Sequence, residues 1–197
     1  MARRSIQIFI ILVVAVTGFW LWKNETGFKL ASLFLQQPIR PFSLVDHNGK
    51  NVTDRDYLGQ YLLVFFGYTY CPDICPTGLN TMSEALDQLG KNAAKVTPLF
   101  ISIDPARDTP EHLKDYVENF HPRLVGLTGS NEQIAVVAKS YKALYIKMDD
   151  DEKDPETYLM GHTATTFLTG PKGLPILIFN REVGPEEMAA KLKKFIK

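Results

Sequence analysis

The sequence predicts an α/β fold, a mixed-sheet sandwich behind an N-terminal transmembrane anchor. Three observations carry this. Short apolar runs alternate with amphipathic stretches from about residue 61 onward. Two strand-like runs near the C-terminus are joined by Gly170-Pro171-Lys172-Gly173, and an uncharged, almost wholly apolar run fills residues 6–22.

Arg3 and Arg4 precede the apolar run, and Trp20, Trp22 and Lys23 close it. Its length suits the short end of a membrane-spanning helix, which needs about 20 residues. The one small-x-small candidate for cleavage, Ala15-Val16-Thr17, is weak, whereas paired tryptophans anchor a helix at the interface. We therefore expect an uncleaved anchor, with residues 1–5 cytoplasmic and the remainder outside. No Arg- and Ser-rich transit peptide precedes it, which points to the inner membrane of a bacterium, with the globular part in the periplasm. Residues 23–40 then read as a tether and 41–197 as one domain. The 22 basic residues balance 22 acidic ones without a basic cluster, which excludes nucleic acid as a partner.

Within the domain, Phe42-Ser43-Leu44-Val45 and Asn51-Val52-Thr53 flank an Asn-Gly turn and read as a hairpin. The run Tyr61 to Gly67 is too short and too uniformly apolar for an amphipathic helix, so it reads as a strand covered on both faces. A helix from about Pro76 to Leu89 follows, with Leu79, Met82, Leu86 and Leu89 on one face. Further strands are expected at 96–103, 124–127 and near 143–147, and helices at 110–120 and 131–141. Strands at 163–168 and 174–179 form the closing hairpin, and 184–196 is the last amphipathic helix.

The chain has two cysteines, Cys71 and Cys75, each followed by proline and placed where the buried strand hands over to the helix. Pro76 suits the first helical position, which puts Cys75 at or beside the N-cap. Backbone amides and the helix dipole there favour a thiolate, so at least one cysteine should be unusually acidic. A structural bridge between them would close only a very short loop and stabilise the unfolded-chain balance little. Whether the pair is reduced or joined stays open.

Four histidines are candidates for a third ligand. His47 falls in the hairpin turn and His112 in a first helical turn, so both read as solvated. His121 is expected at a helix C-terminus, near the negative end of the dipole. His162 sits at the joint between a long polar loop and a core strand. Two thiolates and one imidazole are too few for a closed zinc site but suit copper, Cu(I) through the thiolates and Cu(II) with an added oxygen ligand. Asp73 and Asp104 are candidates for outer contacts to such a site, although Asp104 also fits turn chemistry. The acidic run Asp149 to Asp154 lacks the spacing of a calcium loop and reads as solvated.

Phe66-Gly67-Tyr68-Thr69-Tyr70-Cys71-Pro72-Asp73-Ile74-Cys75-Pro76, Ser102 to Pro110 and Val125 to Gly129 resemble, in order, the Sco/SenC family. With the Gly-His-Thr segment and the Gly-Pro-Lys-Gly turn, the resemblance covers about Pro41 to Lys197. It implies a thioredoxin-like fold and a membrane-anchored copper metallochaperone, not an enzyme, that serves assembly of the dinuclear CuA site of cytochrome c oxidase subunit II. It also implies Cys71, Cys75 and His162 as copper ligands. Other copper donors or thiol reductants would be further partners. Many members carry an aspartate before the ligand histidine; here Gly161 stands there, which suggests a more mobile ligand loop. The alternative is a thiol-disulfide oxidoreductase or redox sensor using the same cysteine pair. The three-residue spacing and the lack of a proline beside His162 weaken it. A scaffold and a peroxidase are more distant readings.

Overall fold

The strand Tyr61–Gly67 (β3) is buried from Leu62 to Gly67, so both of its faces are covered, as its unbroken apolar run requires. It lies inside a sheet of the order β2-β1-β5-β4-β3-β8-β9. The other strands are β1 (Ser43–Asp46), β2 (Asn51–Thr53), β4 (Val96–Ser102), β5 (Val125–Thr128), β8 (Thr166–Thr169) and β9 (Pro175–Phe179). Two more, β6 (Tyr145–Met148) and β7 (Leu159–His162), form a separate two-stranded sheet. The computed structural model describes residues 39, 41–148 and 158–196. The expected N-terminal segment and anchor, nearly all of the tether, and the acidic run lie outside these. Among the described residues no helix is long and apolar enough to cross a membrane.

β3 runs parallel to β4, and β4 to β5, while β8 joins β3 antiparallel and β9 joins β8 antiparallel. The sheet is therefore mixed, as the alternation followed by a hairpin foretold. Helices α1 (Ile74–Asp87), α2 (Pro110–Val117), α3 (Asn131–Tyr141) and α4 (Pro185–Phe195) complete the layers. α1 packs on α4, α2 lies against β5 and α3 against β1. The core is dense in large side chains: Phe65, Phe66, Phe100, Leu63, Leu79 and Met82 are almost wholly removed from water. Each contributes on the order of 1.5–3 kcal/mol of transfer free energy.

Local chemistry accounts for the element ends. Ser130 caps α3 by accepting from the Gln133 amide while the Gln133 side chain accepts from the Ser130 amide. Thr109 caps α2 by accepting from the His112 amide, with Pro110 at the first helical position. The Asn48-Gly49 turn holds Gly49 at a φ of 78°, which is left-handed backbone suited to glycine.

Three elements differ from expectation, one of them the strand β7, where no strand was expected before residue 163. α1 begins at Ile74, so Cys75 lies inside the first turn and Asp73 takes the N-cap position without a side-chain capping bond. α2 ends at Val117, so His121 lies beyond the helix terminus; it is buried, its Nδ1 accepts from the Arg123 amide, and its Nε2 is 3.6 Å from Asp87. His47 is likewise not simply solvated, since its Nδ1 accepts from the Gly126 amide at 3.0 Å and ties the first hairpin to β5. His112 is exposed, as expected, with its ring stacked on Tyr70.

Candidate metal centre

The polypeptide leaves β3 at Gly67, turns at Tyr68–Cys71, where the Cys71 amide donates to the Tyr68 carbonyl, and enters α1. The turn is held from below by Asp108, which is fully buried. Thr69 donates to it through its amide at 3.2 Å and its hydroxyl at 2.6 Å, and the Ser102 hydroxyl donates at 2.5 Å. A carboxylate that gathers three donors from two segments fixes the turn far more firmly than its own short sequence could.

Inside this frame the Cys75 amide donates to Cys71 Sγ at 3.4 Å, and Cys75 Sγ lies 3.3 Å from His162 Nε2. One atom from each of Cys71, Cys75 and His162 falls within 4.8 Å of the others. Among the described residues no other histidine, cysteine or carboxylate joins a donor group of this kind. Neither cysteine is in a disulfide and both are buried.

The two sulfurs differ in character. Cys71 is held down to about 4, chiefly by the hydrogen bond from the Cys75 thiol, with further help from His162 and the amides of Cys75 and Asp73. Cys75 is pushed well above the ordinary thiol range, first by its hydrogen bond to Cys71 and then by burial. The centre thus holds one thiolate and one retained proton. The expectation of an acidic cysteine at the helix start is met, at Cys71 rather than at Cys75.

His162 is oriented by its surroundings. Its Nδ1 is 3.3 Å from the Thr163 carbonyl, while Nε2 faces the sulfurs, 3.3 Å from Cys75 Sγ; in the tautomer that donates from Nδ1 to this carbonyl, Nε2 is the nitrogen free to take a metal. The rings of Phe65 and Tyr68 meet the imidazole edge to face, each at 6.1 Å between centroids. Phe65 reaches it because Gly78 of α1 has no side chain; a Cβ there would come within 2.8 Å of the Phe65 ring.

Neither aspartate singled out from the sequence contributes its carboxylate. Asp73 is exposed, with its carboxylate near the Thr77 hydroxyl. Asp104 is buried and engaged with Arg107 at 2.5 Å and with the Tyr158 hydroxyl at 2.6 Å. Gly161 pairs with Ile146 on the strand face that alternates with that of His162. A side chain there would meet Ile146 and Met148, not the metal donors. Asp108, Tyr158 and Arg107 were not foreseen as parts of this region.

A soft, three-donor group with a thiolate already formed suits Cu(I), and the donor set matches no hard cation. No cis peptide bond occurs among the described residues, and the neighbours of His162 are Gly161 and Thr163.

A model of the SCO1/SenC family matches residues 32–197. The human mitochondrial SCO1 homologue is 44% identical over 154 residues, covering 77% of this chain; the match spans half the length of that protein. The structure of Bradyrhizobium japonicum ScoI with copper bound is 45% identical, with a TM-score of 0.73 over 81% of this chain and 99% of that one. A structure of BsSco, described as a member of the Sco family of cytochrome c oxidase assembly proteins with a disulfide switch, is 27% identical. Its TM-score is 0.61, over 80% of this chain and 92% of that one.

Proposed function

The chain belongs to the SCO1/SenC family, and from that premise we propose that it carries copper to the dinuclear CuA site of cytochrome c oxidase subunit II. Cys71, Cys75 and His162 would hold the ion as cargo. The observation that carries this reading is the convergence of two sulfurs and an imidazole nitrogen within 4.8 Å. Copper-bound relatives of the same fold support it.

The chemistry of loading follows from the protonation pattern. Cu(I) meets the Cys71 thiolate first, displaces the proton held by Cys75, and gains His162 Nε2 as a third donor. One proton leaves per ion. Three-coordinate Cu(I) still accepts an incoming thiolate, so a recipient thiol can enter, lose its proton, and take the ion by stepwise exchange. Cys75 recovers a proton as it is released. No change of oxidation state is required.

The apolar run 6–22 would fix the protein to a bacterial inner membrane, with residues 1–5 cytoplasmic, 23–40 as tether and 41–197 in the periplasm. The tryptophan pair and flanking arginines support that placement.

A second reading is favoured by the acidic Cys71: a thiolate beside a second cysteine can attack a disulfide in the recipient. The Cys71 sulfur would bond to one sulfur of the target disulfide and expel the other as thiolate. Cys75 would then have to lose its proton to displace the target and form the Cys71–Cys75 disulfide, leaving the recipient reduced by two electrons. The tightly held Cys75 proton opposes that second step.

Anaerobic titration of the reduced full chain in detergent, with Cu(I) against a competing chelator, decides between them. One tight equivalent, lost on oxidation of the pair or in Cys71→Ser, supports copper carriage. A folded, reduced protein that binds no copper yet reduces a model disulfide would move the exchange reading to first place.

A further inference from the structure

His162 is carried by a hairpin whose inner face packs Tyr145 and Met160 against the core but whose strands have no ladder to the main sheet. β6 and β7 pair with each other and with no strand of the main sheet among the described residues. The outward face of the hairpin shows Ile146, Met148 and Leu159 to solvent. A metal donor on such an element needs fastening elsewhere, because an imidazole displaced by an ångström no longer meets the sulfurs.

The fastening lies one residue before β7. Tyr158 is buried, and its hydroxyl donates to Asp104 Oδ1 at 2.6 Å. The other oxygen of Asp104 accepts from Arg107 Nε, and the guanidinium carbon sits 3.7 Å from the centre of the Tyr158 ring. Lys147 of β6 places its ammonium nitrogen 3.7 Å from the same ring centre. Tyr158 therefore engages the Asp104–Arg107 loop, which follows β4, and β6 of the hairpin at once. Asp104 is itself fixed, since its amide donates to the Ser102 hydroxyl at 3.0 Å and Ser102 donates onward to Asp108. The turn that carries Cys71 hangs on the same Asp108.

We infer that Tyr158, Asp104 and Arg107 form a latch that positions His162 against Cys71 and Cys75. They are positioning residues and touch no metal. This deepens the copper reading and rests on it for its consequence, though not for its geometry. The latch joins both halves of the donor set to one buried network, so the imidazole and the sulfurs keep register with each other.

A double-mutant cycle tests it. Tyr158→Phe keeps the ring over Arg107 and removes only the hydroxyl. In the full chain it should weaken Cu(I) binding about tenfold, the scale of a hydrogen bond to a charged acceptor. In the His162→Ala background it should change nothing, because the donor it positions is gone. Equal weakening in both backgrounds, or none in either, overturns the latch. Asp104→Asn serves as the second variant and should give the same pattern. Hydrogen exchange of the metal-free protein separates the latch from the copper reading. Both variants should speed exchange of the amides of residues 159–162 and leave β3 and β4 unchanged. If the parent chain binds no copper, the copper reading fails and exchange alone decides: faster exchange in the hairpin sustains the latch, and unchanged exchange removes it.

Discussion

The bare Cα of Gly67 lies against the sulfur of Cys75: a Cβ at residue 67 would stand 2.6 Å from Sγ and 2.8 Å from a ring carbon of Phe100. Neither neighbour has room to yield, since Cys75 and Phe100 are both fully buried. The last residue of β3 is thus the floor on which the second sulfur rests.

Gly67→Ala should therefore destabilise the domain by about 1–3 kcal/mol, the usual cost of overpacking a dense core. It should also displace Cys75 and weaken Cu(I) binding in the fraction that folds. Urea unfolding and chelator competition on the same preparation check both. A variant that matches the parent in stability and affinity would show that the contact is relieved without moving the sulfur.

The division of labour between the cysteines makes a pH prediction. The folded Cys71 titrates far below an ordinary thiol, to about 4, while Cys75 titrates above one. Iodoacetamide should label Cys71 first, at a rate nearly constant from pH 8 down to about 5, and leave Cys75 unlabelled until the fold is lost. Copper affinity should gain one proton's dependence, about tenfold per pH unit, between pH 7 and 8. A dependence of two protons would mean that both thiols are protonated in the resting centre. For stability the sign follows from the lowered folded value. The Cys71 contribution is complete above the unfolded thiol pKa near 9 and fades as pH falls toward about 4.

Much of this centre was legible in the sequence, and the reasons for the gaps are physical. β3 and α3 have the expected bounds, the first from an unbroken apolar run and the second from its amphipathic pattern, with a Ser130–Gln133 capping box added by the structure. α1 starts two residues early because Pro76 is tolerated anywhere in a first turn, where amides lack helical partners; it marks the turn and not its first residue. β7 escaped notice because Leu-Met-Gly-His has no β-branched residue, and its strand character comes from pairing with β6. The cysteines announced themselves by their place where the buried strand hands over to the helix. Asp108 and Tyr158 gave no signal of their part in the centre, since the partners that tie them to it, Thr69 and Asp104, lie 39 and 54 residues away. His162 could be preferred by position but was brought to the sulfurs only by the fold.

Gly161 was expected to loosen the ligand loop in place of an adjacent aspartate. The geometry makes a narrower statement: a Cβ there meets Ile146 at 3.3 Å and Met148 at 3.4 Å, both exposed and able to shift. Gly161→Asp should place its carboxylate on the outer face of the hairpin and cost under ~1 kcal/mol, as exposed substitutions usually do. Cu(I) affinity should stay within about threefold of the parent by chelator competition, a difference of well under 1 kcal/mol. A large gain or loss would show that the residue before His162 reaches the metal after all.

Asp108 supplies the remaining test, because burial and hydrogen bonding act on it in opposite directions. Burial raises its pKa, the Ser102 and Thr69 donors pull it back, and the net result is a raised value. A carboxyl whose folded pKa exceeds the unfolded one stabilises the fold fully below the unfolded value near 3.8, and that contribution is lost as pH rises through the folded value. Asp108→Asn cannot titrate and its amide nitrogen cannot accept, so it should be less stable than the parent by about 1–3 kcal/mol at pH 3.5, below the unfolded value. The gap should narrow by pH 7.5, where the parent must hold a buried charge and the variant need not. Urea denaturation at the two pH values reads this directly. A gap that widens with pH would mean that the three donors outweigh burial and that folding lowers the Asp108 pKa instead of raising it.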